Sequence, residues 1–283
     1  ANLFQFACAQ SHCTQTTGMS QLTEDWLRDR NAQADESDDD LEELNSLPPA
    51  GGFVLLSGDD TATPLESDLF IVATSRSGRV ALDCLLGTSS RGSPVLSVRL
   101  DRGKNSKEVT HVYRPASLGG RVLVADVSER AIGDSILARW SRLLLDGAIV
   151  PTACLVLDSL PTSALVNRPA DELTVRLLQS GAWSGPAPRV KFLESPNMVR
   201  GVSAAIMSAC RARGTPCRVL VVYEDVVAGW PQVSQATVLG LAHAAVSLGV
   251  DGLGGVTIPS DESVRAAVKT AFPQQRMATT LYM

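Results

Sequence analysis

From Phe53 to Val127 the apolar residues come in short runs, separated by glycine, asparagine, serine and proline. "FVLLS", "DLFIVATS", "PVLSVRL", "EVTHVYR" and "GRVLVADV" each have the length and composition of a strand. Val109, His111 and Tyr113 alternate with Thr110 and Val112, which predicts a strand with one more exposed face. The spacing of turn residues through this block predicts antiparallel pairing.

After Val127 the period changes. Ser128 is placed to cap a helix reaching about Leu145, with Ile132, Ile136, Leu137, Trp140, Leu143 and Leu144 on one broad face and Gly147 as its stop. "ACLVLDS" (Ala153 to Ser159) reads as a strand. "PADELTVRLLQS" (Pro169 to Ser180) reads as a helix, with proline in its first turn and Gly181 after it. "NMVRGVSAAIMSACRARG" predicts a further helix, with Asn197 as a candidate cap. "CRVLVVYED" (Cys217 to Asp225) is the strongest buried strand. "QVSQATVLGLAHAAVSLG" predicts a helix closed at Gly249. "SDESVRAAVKTAF" predicts the last one, capped by Ser260 and stopped by Pro273.

Alternating helices and strands favour a sheet covered on both faces. The expected fold is α/β, a three-layer αβα sandwich with a mixed central sheet and an antiparallel insertion. The expected folded body spans residues 53–272, with a C-terminal tail at 273–283. Residues 1–52 differ in composition: a short helix at Leu22 to Gln33 precedes acids crowded between Asp35 and Glu43, then Pro48, Pro49, Gly51 and Gly52. This is the pattern of a solvated tail and linker, or of an acidic arm for a basic partner surface.

The chain of 283 residues is 45% hydrophobic and 19% charged, long enough for one large core or two small ones. A net charge of -5 without a basic run argues against nucleic acid as the main partner. No stretch of apolar residues has the length of a membrane span, and no secretion signal is expected at the start. Cys84, Cys154, Cys210 and Cys217 lie in or beside apolar runs, where cysteine serves as a small hydrophobe, as suits a reducing compartment.

Candidate chemistry is sparse. Three histidines, His12, His111 and His243, stand apart in the sequence. "CAQSHC" (Cys8 to Cys13) has metal-ligand residue types but no second pair to complete a tetrahedral site. "GVDGLGG" (Gly249 to Gly255) follows a helix, whereas a phosphate loop follows a strand, and Thr257 stands where the last glycine would be. "SGDD" (Ser57 to Asp60) reads as a turn. Glu224 and Asp225 close the strongest strand at its carboxyl end, where α/β folds place ligands, and are the best catalytic candidates. No metal and no cofactor is expected.

One stretch is more specific. "KFLESPNMVRGVSAAIMSACRARGTPCRVLVVYEDV" (Lys191 to Val226) carries Glu194, then Pro196, Asn197, Met198 and Val199, leading into a small-residue helix and an apolar strand. This resembles the proteasome assembly chaperone 1 family, the larger half of a heterodimer that helps build the seven-subunit α ring of the 20S proteasome. The resemblance runs in order over roughly Phe53 to Met283, weakly between Thr74 and Gly120. Members of that family end in a hydrophobic residue, a tyrosine and any residue. Leu281, Tyr282 and Met283 match position by position.

The resemblance implies a non-enzymatic chaperone of the cytoplasm and nucleus. Its partners would be a proteasome assembly chaperone 2-like subunit and 20S proteasome α subunits. Tyr282 would enter a groove between two α subunits, the Met283 carboxylate would pair with a lysine, and Leu281 would cover the rim. The residues themselves leave two other readings open. One is an α/β enzyme of nucleoside-processing or hydrolase type with a site near Glu224 and Asp225. The other is a binding module whose ending is incidental.

Overall fold

The computed structural model describes residues 53–57, 64–87, 91–100, 107–118, 120–127, 132, 136–166, 175–183, 188–227, 230–248, 253 and 256–272. The candidate helix Leu22 to Gln33, the acidic run, the Cys8 to Cys13 stretch and the aspartates of "SGDD" lie outside them. So do Ser128, Pro169, Gly249, Pro273 and the ending Leu281 to Met283.

The elements follow in the order β1 (Phe53–Ser57), β2 (Leu65–Ala73), α1 (Arg76–Leu86), β3 (Leu96–Leu100), β4 (Lys107–Tyr113) and β5 (Val122–Val127). Then come α2 (Leu137–Arg142), β6 (Ile149–Pro161), β7 (Arg176–Ser180), α3 (Gly201–Arg213) and β8 (Cys217–Glu224). A small ribbon of β9 (Val226–Val227) and β10 (Trp230–Pro231) precedes α4 (Gln235–Ser247) and α5 (Asp261–Ala271).

The main sheet has eight strands in the order β1-β3-β4-β5-β2-β6-β8-β7. β5, β2, β6 and β8 run parallel in the middle. β1, β3 and β4 extend one side by antiparallel pairing, and β7 closes the other side antiparallel to β8. Parallel strands need helical crossovers, which cover both faces, so the central stretches of these strands are mostly apolar. All eight residues of β8 are buried, and so are Leu69 to Ala73 of β2.

Side chains two apart along a strand share a face. Leu69, Ile71 and Ala73 join Val80, Leu82 and Leu85 of α1, Leu241 of α4 and Val264 of α5 in one core. Phe70 and Val72 face the other way, toward Trp140 of α2 and Val202 and Ile206 of α3. The expected three layers and mixed sheet are present. Trp140 is fully buried, and its indole Nε1 donates to Thr110 Oγ1 of β4 at 2.9 Å. That bond satisfies the one polar atom the ring brings into the core.

Three local expectations need correction, and one helix falls where none is expected. The expected helix Pro169 to Ser180 is not formed over its second half, where Arg176–Ser180 is strand β7. Leu177 pairs with Leu220 and Arg176 with Val221, so the ladder to β8 overrides the helical composition. The helix expected from Ser128 begins at Leu137, and Gly147 does not stop it. A π-helical turn, Leu143–Ala148, carries the chain straight into β6 at Ile149. Asn197 does not cap α3: the cap position is Arg200, and Asn197 Oδ1 accepts from the Val166 amide at 2.7 Å. Finally, α1 occupies "RSGRVALDCLL", a stretch whose pattern raises no expectation of a helix.

Candidate functional site

The carboxyl ends of β2, β6 and β8 meet at one place, and α1 begins there. Ser75 follows the end of β2 and is extended, and its hydroxyl accepts from the Gly78 amide at 3.0 Å. This cap turns the chain directly from sheet into helix. Gly78 then lies against β6 so closely that a Cβ would overlap the Leu157 carbonyl oxygen. Glycine here permits a close approach of helix to strand.

Two acids point into this region from neighbouring strands. Asp158 of β6 and Glu224 of β8 are both almost fully buried. Ser203 Oγ of α3 donates to Asp158 Oδ2 at 2.6 Å, and the Ser159 amide donates to Asp158 Oδ1 at 2.8 Å. Thr74 and Ser203 bring their hydroxyl oxygens within 3.2 Å of each other. Ser77 of α1 donates to Glu224 Oε1. Asp158 is thereby tied to the helix layer on one face and Glu224 to the layer on the other.

Burial pushes the Glu224 carboxyl above its usual range, and the nearby Asp158 charge adds to this, while hydrogen bonds from Ser77 and Ser159 oppose it. Burial likewise raises Asp158, against hydrogen bonds from Ser203, Thr74 and the Ser159 amide. Desolvation disfavours the charged form of a carboxyl, and donors aimed at it restore part of the loss.

Chemically, this is a hydroxyl–carboxylate network inside the protein. Glu224 and Asp225 do not act as a pair: Glu224 is inside, whereas Asp225 is exposed and accepts from Thr162 Oγ1 at 2.9 Å. The described histidines are elsewhere. His111 Nδ1 lies 3.0 Å from Ser97 Oγ on the antiparallel side of the sheet, and His243 is exposed on α4. Among the described residues no histidine joins these serines and acids. Nor is any group of three or more His, Cys, Asp or Glu among them placed to hold a metal ion. No described helix is long and apolar enough to cross a membrane.

Thr74, Ser77, Asp158 and Ser203 belong to no sequence motif, and the fold alone brings them to Glu224. The trace of this turn in the sequence is "TSRSG" (Thr74 to Gly78), where the capping Ser75 precedes Gly78 by three positions.

The stretch from Lys191 to Arg200 forms the outer flank of β7. Leu177 exchanges backbone bonds with Lys191 and Leu193, each 2.9 Å, so this segment covers the edge of the sheet. Arg176 is 1% exposed, and its Nε lies 2.9 Å from both oxygens of Glu194. Glu194 therefore fixes the flank to a buried guanidinium. The guanidinium, first by its hydrogen bonds, holds the Glu194 carboxyl below its usual range. Outside this pair Phe192 and Met198 are 56% and 66% exposed. Val166, joined to Asn197, is exposed with them, as is Val226 just beyond β8. Val166 and Val226 follow β6 and β8, and Phe192 and Met198 lie on the flank beside β7, so these apolar side chains make this side of the molecule a candidate protein-binding surface.

Leu281, Tyr282 and Met283 lie outside the described residues. The last helix does end beside the strand ends: Phe272, after α5, has the Arg76 guanidinium 5.8 Å from its ring centroid.

No family model and no curated protein sequence matches the chain. Solved structures do share its fold. PbaA from Pyrococcus furiosus, an archaeal homolog of proteasome-assembly chaperone, is 12% identical with a TM-score of 0.52, over 80% of this chain and 96% of PbaA. PbaB from the same organism, an archaeal proteasome activator, is 9% identical with a TM-score of 0.50, over 83% of this chain and 100% of PbaB. At such identities the likeness is one of fold.

Proposed function

We propose that this chain is a proteasome assembly chaperone. It pairs with a second, smaller α/β chaperone, and the heterodimer promotes or stabilises assembly of the 20S proteasome α ring in the cytoplasm and nucleus. The observation that carries this reading is the fold shared with PbaA and PbaB. The Pro196 and Asn197 stretch and the hydrophobic–Tyr–X ending support its finer part. At the strand ends the buried acids are bonded to the protein's own serines, which suits a scaffold better than a catalyst.

The docking step is what the resemblance of the ending to that chaperone family implies. Tyr282 enters a groove between α subunits, Met283 presents its carboxylate to a lysine, and Leu281 covers the rim. Burying most of a tyrosine contributes about 3–5 kcal/mol at ~25 cal/mol/Å². Ordering each tail residue costs about 1–2 kcal/mol. The tail alone therefore binds weakly. Contacts from the body, including the exposed Phe192 and Met198, hold the tail near its pocket and raise its effective concentration.

The experiment is expression of the chain with and without the partner chaperone, followed by mass measurement with light scattering. The expected result is self-association of the chain alone and a 1:1 complex with the partner. A clean monomer indifferent to the partner contradicts the heterodimer.

A further inference from the structure

Serine or threonine precedes proline at three places among the described residues: Ser93, Ser195 and Thr215. Proline-directed protein kinases read that dipeptide where it is exposed and the chain around it can lie extended in the kinase groove. Thr215 fails on both counts. Thr215 and Pro216 are half-buried. The Thr215 amide donates to the Cys210 carbonyl, and the Pro216 carbonyl accepts from the Cys154 amide, both at 2.9 Å. Ser195 is exposed but lies inside a turn, which the Asn197 amide closes by donating to the Glu194 carbonyl at 2.9 Å. Glu194 is in turn anchored on Arg176.

Ser93 differs. It lies between α1 and β3, and Gly92, Ser93 and Pro94 are all exposed. Among the described residues no hydrogen bond holds Ser93, and the chain rejoins the sheet at Val95, whose amide donates to the Val112 carbonyl at 2.8 Å. Gly92 has a φ of 66°, and glycine exchanges this conformation for an extended one at little cost. The serine can therefore be lifted into a kinase without disturbing the core. A phosphate placed there has a receiver in Arg91, two residues earlier. One end of the Arg91 guanidinium contacts Asp83 of α1, and Nη1 lies 3.4 Å from Asp126 Oδ2 of β5. The guanidinium carbon is 5.6 Å from the ring centroid of Tyr113 in β4. The remaining donor, Nε, is buried without a partner. Arg79 Nε, 3.3 Å from Asp126 Oδ1, adds a second cation, so both acids are already balanced. A phosphoserine brings about -1.5 to -2 charges and strong acceptor oxygens, the partners a guanidinium prefers.

We propose that Ser93 is a phosphorylation site for a proline-directed kinase, and that Arg91 receives the phosphate. The Ser93 Oγ attacks the γ-phosphorus of ATP, the bond from that phosphorus to the bridging oxygen breaks, and ADP leaves. The hydroxyl proton passes to the catalytic carboxylate of the kinase. The products are phosphoserine, ADP and one proton. The new phosphate ties the connection between α1 and β3 to the charged group formed by Arg79, Asp83, Arg91 and Asp126.

The site belongs to the body of the fold and does not depend on the chaperone reading. The test incubates the full-length chain with ATP and an activated mitogen-activated kinase, and separately with an activated cyclin-dependent kinase, then maps its peptides by mass spectrometry. The expected result is a phosphate on Ser93 with at least one of the two kinases. Ser93→Ala should remove that phosphate and Pro94→Ala should lose most of it. Both side chains are exposed, so both variants should melt with wild type. Phosphorus NMR then titrates the modified chain. The second pKa of the phosphoserine should fall below its ordinary value of about 6 and return toward it in Arg91→Gln. The wild-type titration decides the matter even if that variant does not fold. A chain that takes no phosphate, or takes it at Thr63, Ser195 or Thr215 and not at Ser93, overturns the proposal. So does labelling of Ser93 that is indifferent to Pro94→Ala, or a Ser93 phosphate that titrates at about 6 or above.

Discussion

The Ser77 hydroxyl donates to the Glu224 carboxylate, joining the first turn of α1 to the end of β8 across 147 positions of sequence. Burial raises this carboxyl above its ordinary range. A raised carboxyl holds its proton more firmly in the folded chain than in the unfolded one. Its contribution to stability is therefore full below the unfolded value of 4.5 and declines as pH rises through the folded value. Glu224→Gln keeps an acceptor for Ser77 and removes the buried charge. It should be at least as stable as wild type at pH 8, and any advantage should vanish as pH falls toward 4.5. Urea unfolding at a series of pH values measures this; a variant that is far less stable at pH 8 contradicts it.

Glu194 should behave in the opposite sense. Arg176 is buried and Glu194 is half-exposed, and the hydrogen bonds between them lower the Glu194 carboxyl. A lowered carboxyl contributes stability above its unfolded value of 4.5 and loses it as pH falls through the folded value. Glu194→Gln should therefore destabilise the chain at pH 7, because the guanidinium stays buried with a weaker partner. The loss should shrink in acid. Equal losses at pH 7 and in acid would show that the charge is not what matters.

Gly78→Ala tests how closely α1 sits on β6. The added Cβ would overlap the Leu157 carbonyl, which is backbone and cannot rotate away. Overpacking of this kind costs about 1–3 kcal/mol. Denaturant unfolding should show that loss, with little change in far-ultraviolet circular dichroism. A variant as stable as wild type would mean that helix and strand stand further apart.

Much of this fold is legible where one interaction dominates. The alternation in "EVTHVYR" holds from Thr110 to Tyr113: Thr110 and Val112 are buried, whereas His111 and Tyr113 are half-buried. Ser260 caps α5 as expected, its hydroxyl accepting from the Ser263 amide at 3.3 Å. Elsewhere local signals conflict with distant ones. Proline, two acids and a closing glycine give Pro169 to Ser180 the outline of a helix, yet Arg176 is held by Glu194 and Leu177 by β8. Ser77 and Gly78 weaken the helical look of α1, because their purpose is contact with Glu224 and Leu157. The buried network is only half visible in the sequence. Glu224 stands out at the end of an apolar strand, whereas Asp158, Thr74 and Ser203 come near it through topology alone. The docking role proposed for Leu281 to Met283 rests on family resemblance, since nothing in the periodicity of the ending marks it, and these residues lie outside the described ones.

Binding to proteasome α subunits through the ending of the chain can be measured by a quantitative pull-down with three proteins. They are the wild-type chain, Tyr282→Ala, and a chain extended by one residue after Met283. Tyr282→Ala removes most of the apolar area the tail would bury. The extension would move the carboxylate by about 3.3–3.6 Å from the lysine proposed to receive it. Circular dichroism and partner binding serve as controls and should be unchanged in all three. Strong capture by wild type and partial loss in both variants is the expected result, because contacts from the body remain. Equal capture by all three would contradict the docking role of Leu281, Tyr282 and Met283, and no capture by any of them would contradict the chaperone assignment itself.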